Sequence, residues 1–494
     1  MNLKEFISTR RSIIIAPAGY GKTYALAKCL TITDSDKKQL IITHTHAGIA
    51  AIKEKIAKLN IPNSTFCIET INGFAQKYML SFYSNAIIPE QESKNYFLFI
   101  IQNATELFKT KAVKRVLQST YQNIFVDEYQ DCTLSQHKMI MAISEYLPTH
   151  IMGDPMQGIF GFNEPLVNFE NDLDSFKIVN QLDTPWRWNT TGNTQLGLIL
   201  KEIRSILCSN RKVINFKSFS PTIENILINE SDIFNQKSIY RRQLNTIINN
   251  NNQSKELESL LLIVPEYIEN GVNRGGINSR AKLKALIDYS HQLTLLEAID
   301  NKDFYSISKS IDKLVNGIHR RNKKLKAISE DLLQKVFYKG SIDAWITEDR
   351  LINKRGKDAK TKQKLEDLIN SFIDESSMSS LLELLLFLKN EMKFKSKRVD
   401  LITSIIKSMR IAIVENKSVY DSMVSYKNII RRVGRKVQGK CIGTTLLTKG
   451  LEFDTVVILN AHRISDHKHF YVAVTRACKR LIVFSNSSIL QFTN

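Results

Sequence analysis

The sequence lacks a long apolar run and any pattern of cysteines that would staple a small fold. Its apolar stretches, such as residues 384–388 and 261–264, fall far short of the roughly 20 residues that a membrane helix needs. Its six cysteines form no CxxC pair and have no paired histidines nearby, which argues against disulfide frameworks and zinc sites. Because the first motif starts at residue 12, a signal peptide has no room, and we expect a cytoplasmic protein without membrane contact.

Internal repeats are also missing, and the one low-complexity tract is the asparagine run at residues 249–252. The composition is 43% apolar and 24% charged, which is typical of a globular chain and excludes a mainly disordered scaffold. A chain of 494 residues is too long for one hydrophobic core. We expect about three domains.

Basic residues outnumber acidic ones and are unevenly distributed. The net charge is +20, and residues 301–440, with 31 basic and 17 acidic side chains, hold +14 of it. Such an excess favours a polyanionic partner. A solvated helical surface decorated with lysine is the alternative reading of this segment.

Periodicity divides the chain into two alternating halves and a helical segment. Short β-branched runs alternate with helical patterns over residues 1–180, apart from a helical stretch at about 75–120, and this predicts a parallel sheet. Strand patterns resume after residue 220 and again after residue 439, as expected of one interrupted sheet. Residues 268–436 show almost continuous 3.6-residue periodicity and predict an all-helical insertion.

A strand pattern at 12–15, the loop APAGYGKT at 16–23 and a helical pattern at 24–30 follow one another. Phosphate binding needs this order, because glycines let backbone N–H groups approach phosphate oxygens at a helix N-terminus. Lys22 would reach the β- and γ-phosphates, and Thr23 would hold Mg²⁺. An ordinary turn is the alternative. The predicted nucleotide-binding residues of this loop are Ala18, Gly19, Tyr20, Gly21, Lys22 and Thr23.

A second strand pattern at 123–126 ends in DEYQD, residues 127–131. Nucleotides bind at the carboxyl ends of strands in open α/β sheets, so these carboxylates suit a metal and a water molecule. Asp127 would bind Mg²⁺, and Glu128 would orient or deprotonate the attacking water. An acidic turn that caps the next helix is the alternative.

Phosphoryl transfer also needs cations that offset charge on the transferred group. Arg187 in PWRW and Arg476 in YVAVTRA are candidates for this role. Their positions alone do not separate them from the other arginines of the chain.

Eight motifs occur in a fixed order along the chain. They are APAGYGKT (16–23), ITHTHAGIAAI (42–52), TINGFA (70–75), VDEYQD (126–131), GDPMQGIFGF (153–162), LDTPWRW (182–188), TTLLTKGLEF (444–453) and YVAVTRA (471–477). In this order they resemble the UvrD/Rep/PcrA branch of superfamily 1 helicases along nearly the whole chain.

The resemblance implies an α/β fold of two RecA-like parallel-sheet P-loop domains with helical insertions. The first domain would span residues 1–180, with the short insertion at about 75–120. The second would combine residues 181–267 with 437–494, and the basic helical insertion would span 268–436. ATP and Mg²⁺ would bind between the two domains, and single-stranded or partly duplex DNA would run across them with movement from 3′ to 5′.

The resemblance also assigns roles to residues. Lys22, Asp127 and Glu128 keep the roles given above, Gln157 would sense the γ-phosphate, and Arg187 and Arg476 would reach it when the cleft closes. The nucleoside would contact Trp186, Gly450 and Glu452. No glutamine precedes Gln39, whereas the family carries an upstream glutamine that reads adenine. ATP is still the expected nucleotide.

Several positions that contact DNA in the family depart from the usual residues. His44 and the dipeptide at 71–72 replace residues that stack on bases in the family. Phe160 and Phe162 would therefore contribute more of the binding to single-stranded DNA. Packing in the hydrophobic core is the alternative role of these two phenylalanines. The predicted DNA-binding residues are Thr43, His44, Thr70, Phe160, Phe162 and Thr444.

The short insertions resemble those of the helicase-like subunit of the Gabija antiphage defence system, which acts with an OLD-family nuclease. The preferred hypothesis is an ATP-dependent 3′–5′ DNA helicase or translocase that works with such a nuclease. The alternative is a nucleotide-responsive sensor of DNA ends, or an adaptor, with little unwinding activity.

Overall fold

The computed structural model describes residues 2–33, 36–83, 88–89, 93, 95–161, 164–235, 237–250, 258–265, 293–296, 302–317, 321–347, 350–397, 399–433 and 439–492. The chain divides into two compact units. One combines Met1–Glu297 with Gly434–Asn494, and the other is Ala298–Val433. Within the described residues, no helix is both long and apolar enough to cross a membrane.

The first sheet has six parallel strands in the order β3-β2-β4-β5-β1-β6. Its strands are β1 (Arg11–Ile15), β2 (Lys38–Thr43), β3 (Phe66–Thr70), β4 (Tyr121–Val126), β5 (Thr149–Gly153) and β6 (Lys177–Gln181). Successive residues of β2 point to opposite faces: Leu40 and Ile42 enter one hydrophobic core, and Ile41 enters the other. Both faces of the sheet are therefore covered, as is usual for parallel sheets.

Helices of the first half cover this sheet. They are α1 (Leu3–Ser8), α2 (Lys22–Ile32), α3 (His46–Lys58), α4 (Ile71–Phe82), α5 (Tyr96–Phe108), α6 (Lys111–Thr120) and α7 (Leu134–Ser144). Three short 3₁₀ turns lie at Asn63–Thr65, Tyr129–Asp131 and Pro155–Gln157. The helical stretch that was predicted between the strands corresponds to α4, α5 and α6.

The second sheet is also six-stranded and parallel, in the order β10-β11-β9-β12-β13-β8. Its strands are β8 (Ile223–Leu227), β9 (Leu260–Val264), β10 (Thr294–Leu295), β11 (Lys440–Thr444), β12 (Phe453–Ile458) and β13 (Ala477–Ser485). A separate antiparallel pair joins β7 (Val213–Asn215) to β14 (Ile489–Gln491). Leu261 and Leu262 again enter different cores, so this sheet is also covered on both faces.

The remaining helices of this unit are α8 (Trp186–Thr190), α9 (Thr194–Cys208), α10 (Ile239–Asn250), α11 (Thr445–Thr448) and α12 (His467–Val474). Short 3₁₀ turns lie at Phe216–Phe219, Glu230–Phe234 and Ala461–Arg463. The predicted α/β class with two parallel sheets is confirmed.

The second unit is helical and has its own hydrophobic core, which includes Phe304, Phe337, Phe372 and Leu385. Its helices are α13 (Lys302–Asn316), α14 (Arg321–Ala327), α15 (Gln334–Val336), α16 (Lys339–Asp343), α17 (Lys357–Glu375), α18 (Met378–Leu386), α19 (Val399–Glu415) and α20 (Val419–Val433). π-Helical segments at Ile328–Leu333 and Phe387–Glu391 follow α14 and α18.

The structure differs from the sequence expectations at several elements. Strands β3, β6, β7 and β14 had not been predicted. Residues 294–295, expected in the helical insertion, pair with β11 as a strand, because backbone pairing at a sheet edge overrides a weak local pattern. The parts of the expected insertion that lie outside the described residues are 268–292, 297–301, 318–320, 348–349, 398 and 434–436.

Candidate nucleotide and nucleic-acid site

The phosphate loop joins the carboxyl end of β1 to the first turn of α2. Gly19 and Gly21 adopt left-handed φ values of +78° and +84°, which glycine reaches without steric cost. Gly21 is the N-cap of α2, and no side chain bonds to this helix end. The backbone N–H groups of the first turn are therefore suitable donors for a phosphate.

The two carboxylates predicted from DEYQD meet the loop lysine. Lys22 Nζ lies 3.2 Å from Asp127 Oδ1 and also contacts Glu128 Oε1. The backbone N–H of Asp127 donates to the carbonyl of Ile42, at 2.8 Å, which places the carboxylate at the end of β4. Glu128 has a left-handed φ of +56°. The structure thus brings Lys22, Asp127 and Glu128, three of the six predicted catalytic residues, together.

Burial and mutual attraction determine the charge of these groups. Burial opposes the charged form of Lys22, but Asp127 and Glu128 outweigh it and raise the lysine pKa. Burial raises the pKa of Asp127, although Lys22 opposes the shift. Burial also acts to raise the pKa of Glu128, yet Lys22 and Lys449 lower it to about 2. Glu128 is therefore ionised at neutral pH.

The two predicted arginines reach the same region. The backbone N–H of Arg187 donates to the carbonyl of Gly19 at 2.9 Å, and its Nη2 lies 2.6 Å from Glu452 Oε1. Arg476, 2% exposed, places Nη2 3.5 Å from Gln157 Oε1. Burial and the neighbouring Arg187 lower the pKa of Arg476 to about 10. Both arginines stand beside the phosphate loop or the predicted γ-phosphate sensor.

The predicted nucleoside contacts are also close to the loop. Trp186 is 55% exposed, and its ring would lie 3.2 Å from a Cβ atom on Gly21. Glu452 is held by Arg187, and Gly450 has a left-handed φ of +81°. An exposed indole beside the loop offers a flat surface on which a nucleobase can stack.

Ala18, Gly19 and Tyr20 of the loop also make contacts within the protein. The hydroxyl of Tyr471 bonds to the backbone of Ala18. Tyr20 is buried, and desolvation raises its pKa to about 12. A Cβ atom on Gly19 would lie 2.8 Å from the ring of Trp188, so this glycine is needed for close packing as well as for its φ value.

The residues present suit a nucleotide with Mg²⁺. Asp127 Oδ1 is buried without a hydrogen-bond donor among the described residues, although Lys22 Nζ is near. Thr23 and Asp127 offer hydroxyl and carboxylate oxygens, and Mg²⁺ at such sites usually takes phosphate and water oxygens as its other ligands. In the described part of the chain, no three acidic, histidine or cysteine side chains gather to hold a metal by themselves.

The predicted DNA-binding residues lie at strand ends but partly serve internal contacts. Thr43 and Thr70 are register partners at the ends of β2 and β3. The Thr43 hydroxyl is buried without a hydrogen-bond partner among the described residues, whereas Thr70 Oγ1 caps α4 by accepting from Gly73 N at 3.0 Å. His44 Nε2 lies 3.3 Å from Cys132 Sγ.

The other predicted DNA contacts are Phe160, Phe162 and Thr444. Phe160 is half-buried and has Lys449 Nζ 4.7 Å from its ring centre, so a cation covers this aromatic. Thr444 ends β11 and is half-buried. Phe162 lies outside the described residues.

Lys449 is a site residue that the sequence reasoning missed. Its Nζ lies 2.6 Å from Asp131 Oδ2 and also donates to the Gln157 carbonyl. Lys449, which follows α11, therefore contacts the DEYQD turn. Burial raises the pKa of Asp131 to about 6 and lowers that of Lys449. In the sequence, this ion pair is indicated by the lysine of KGLEF and by the last aspartate of DEYQD.

Arg204 is a second residue that the sequence reasoning missed. Its Nη2 lies 2.8 Å from Asp154 Oδ1, and the other carboxylate oxygen of the fully buried Asp154 accepts from Gln157 Nε2 at 3.0 Å. The side chain of Gln130 links the Asp154 backbone to Glu128. One hydrogen-bonded chain thus joins the predicted water residue to the predicted γ-phosphate sensor. Arg204 lies in a helical pattern with no motif to mark it.

Comparison with known proteins agrees with these features. Residues 2–163 match the AAA domain family. Gabija protein GajB from Bacillus cereus (strain VD045) is 24% identical over 419 residues, which cover 82% of this chain and 72% of the relative. The chain resembles Gabija protein GajB.

A solved complex of arterivirus nonstructural protein 10 (helicase) with DNA matches 53% of this chain at 12% identity and a TM-score of 0.25. The match spans 48% of that protein, or about half its length.

The phosphate loop and the DEYQD carboxylates lie inside the matched AAA domain. The resemblance to UvrD-like superfamily 1 helicases that the motif order predicted is confirmed. Residues 2–163 therefore form a P-loop domain of the AAA type.

Proposed function

We propose that the chain is an ATP hydrolase that moves 3′ to 5′ on single-stranded DNA and opens partly duplex DNA. Its domains would be those expected from the motif order, with ATP between the two sheet domains. The observation that carries the proposal is the arrangement at the phosphate loop: Lys22 contacts both Asp127 and Glu128, and Arg187 and Arg476 approach from segments that lead into the second sheet.

Phosphate binding would change the role of Glu128. A carboxylate with a pKa of about 2 is a weak base, and Lys22 is the main cation that holds it there. When Lys22 turns to the triphosphate, burial of Glu128 raises its pKa toward the range of a general base. Mg²⁺ held by Thr23 and Asp127 would neutralise charge on the phosphates. Water activation would thus depend on nucleotide binding.

The arginines would tie hydrolysis to domain movement. Arg187 would exchange Glu452 for a phosphate oxygen, and Arg476 would offset the charge that develops during transfer. Gln157 lies between Arg476 and the Asp154 carboxylate, so its position would report on both sheets. Closure on ATP and opening after hydrolysis would move the chain along DNA.

A nuclease partner of the OLD family in an antiphage system is part of the proposal, by analogy with the Gabija relative. The alternative is a sensor or adaptor subunit with little unwinding activity. The internal contacts of Thr70 and His44 favour this alternative, because these two predicted DNA-binding side chains are engaged within the protein.

ATP hydrolysis by the purified chain, with and without single-stranded DNA, tests the proposal. We expect strong stimulation by DNA and loss of activity in Lys22→Ala, since the lysine reaches the phosphates. Lys28→Ala, on the same helix beyond the loop, is the matched control and should retain activity. An ATP hydrolysis rate that stays the same when DNA is added, together with no strand displacement, would favour the sensor or adaptor.

A further inference from the structure

Arg204, on α9, contacts two segments that carry predicted catalytic residues. Its Nη2 lies 2.8 Å from Oδ1 of Asp154, the residue that caps the turn containing Gln157. Its guanidinium also lies 5.9 Å from the ring centre of Tyr471, on α12, the helix that precedes Arg476. One side chain therefore touches both the segment of the predicted γ-phosphate sensor and the helix that leads to a predicted catalytic arginine.

Asp154 is fully buried, and Arg204 is the cation that pairs with it among the described residues. Asp154 Oδ1 also accepts from Met156 N at 3.2 Å, and Oδ2 accepts from Gln157 Nε2 at 3.0 Å. A carboxylate that is buried without a cation is strongly unfavourable. Arg204 therefore compensates the charge of the group that holds the Gln157 amide.

The Asp154 carboxylate determines which way the Gln157 amide faces. A glutamine amide has a donor end and an acceptor end, whereas an ionised carboxylate only accepts hydrogen bonds. The NH₂ group of Gln157 therefore turns toward Asp154, and its Oε1 lies 3.5 Å from Arg476 Nη2. The second hydrogen of the NH₂ group is left for another acceptor, such as a phosphate oxygen. Because Gln157 is buried, bulk water does not compete for these bonds.

We propose that Arg204 is a positioning residue for nucleotide hydrolysis. Through Asp154 it fixes the Gln157 amide, so that the amide oxygen faces Arg476 and one N–H is available to the γ-phosphate. Arg204 acts through these side chains and needs no contact with the nucleotide. Its planar and permanently charged guanidinium suits this task, because it holds a carboxylate in a defined orientation.

The alternative is a purely structural ion pair that ties α9 to the turn at Pro155–Gln157. Both roles predict a less stable protein when Arg204 is removed, because Asp154 would then be buried without a cation. They differ in catalysis. A positioning residue lowers the rate only while Gln157 is present, whereas a structural residue acts independently of that side chain.

The proposal rests on the proposed function only in taking ATP hydrolysis as the reaction at this site. It does not involve DNA, so hydrolysis measured without DNA tests it. A rate that DNA does not stimulate would contradict the proposed function alone. An unmodified chain that hydrolyses no ATP would contradict both.

The experiment is a double-mutant cycle on steady-state ATP hydrolysis by the full chain, corrected for the folded fraction. Arg204→Met should lower kcat about 10- to 100-fold through misplacement of Gln157, and it should leave the KM for ATP unchanged. Gln157→Ala should lower kcat to a similar extent. The double variant should be no slower than Gln157→Ala alone, because Arg204 then has no amide to position.

A second variant separates positioning from folding. Adding Asp154→Asn to Arg204→Met removes the uncompensated buried charge, so the urea midpoint should recover in part. The kcat should stay low, because an asparagine amide can donate to Gln157 as well as accept from it, and both orientations of the Gln157 amide become possible. Arg204→Lys keeps the charge and should retain part of the kcat that Arg204→Met loses.

Leu207→Ala is the matched control for damage to α9. Leu207 lies on the same helix and is fully buried in the hydrophobic core. Its truncation should lower the urea midpoint, because it leaves a cavity. It should leave the kcat of the folded protein unchanged, since Leu207 contributes no polar group to the site.

Three outcomes would overturn the proposal. Multiplied losses of kcat in the double variant of Arg204 and Gln157 would mean that Arg204 does not act through that amide. Recovery of kcat together with stability in R204M/D154N would make the ion pair structural. A raised KM with an unchanged kcat in Arg204→Met would assign Arg204 to nucleotide binding.

Discussion

Lys449 concentrates several contacts on one buried cation. It bonds both carboxylate oxygens of Asp131 and the carbonyl of Gln157, and it lies over the ring of Phe160. These partners belong to the carboxylate turn, the predicted γ-phosphate sensor and a predicted DNA contact. A substitution of Lys449 would therefore alter the surroundings of all three sites.

Lys449→Met should destabilise the chain by about 3 to 5 kcal/mol, because it leaves the Asp131 carboxylate buried without its cation. The loss should depend on pH. Without Lys449 the pKa of Asp131 rises above its present value of about 6, and a group whose pKa is raised by folding loses stability as pH rises. Urea unfolding should show a larger deficit at pH 8 than at pH 5.

Adding Asp131→Asn to Lys449→Met tests the same pair. The neutral amide needs no cation, so the double variant should recover part of the lost stability and lose the added dependence on pH. A deficit of similar size at both pH values would show that the carboxylate is not the cause.

At the scale of the element, α8 carries two tryptophans with opposite environments. Trp188 is 1% exposed and its indole N–H donates to the Ala477 carbonyl at 2.8 Å, whereas Trp186 is exposed beside Gly21. One ring therefore joins α8 to the second sheet, and the other is free to meet a nucleobase.

Trp188→Ala should cost about 3 to 5 kcal/mol of unfolding free energy, as expected for a large buried aromatic residue. Trp186→Ala should change stability by less than about 0.5 kcal/mol, as is usual at the surface. It should instead raise the KM for ATP, because stacking is lost. Urea unfolding and steady-state hydrolysis measure the two effects. An unchanged KM for ATP in Trp186→Ala would show that the Trp186 ring does not contact the nucleotide.

At the scale of the whole molecule, His150 makes stability depend on pH. It lies fully buried in β5, where its ring bonds to Ser12 Oγ at 2.8 Å and packs against Phe6 and Phe125. Burial lowers its pKa to about 3. Unfolding restores the ordinary value, so acid favours the unfolded chain.

The contribution of His150 is complete above about pH 6.5 and is lost as pH falls toward 3. Between pH 7 and pH 5 this residue should lower the unfolding free energy by about 2 kcal/mol. His150→Gln should show a correspondingly shallower decline in urea titrations, and His469→Gln, on α12, is the control. Equal pH profiles for the unmodified chain and His150→Gln would refute this assignment.

Local patterns determined much of this protein. The β-branched runs of β1, β2, β4 and β5 and the glycines of the phosphate loop act within a few residues, so the sequence predicted the first sheet's centre and its nucleotide loop. Strands β3 and β6 lie at the two edges of the first sheet, and they were not predicted because their own sequences show no strand periodicity. They become strands because they pair with a neighbouring strand.

Contacts between distant segments could only come from the tertiary structure. The motif order named Lys22, Asp127 and Glu128, but the grip of Lys449 on Asp131 joins residues 318 positions apart, and Arg204 reaches Asp154 from a helix without a motif. Whether a side chain such as Thr70 faces a ligand or caps a helix is decided by the backbone around it. Burial, which sets the charge of these groups, exists only once the sheets are packed.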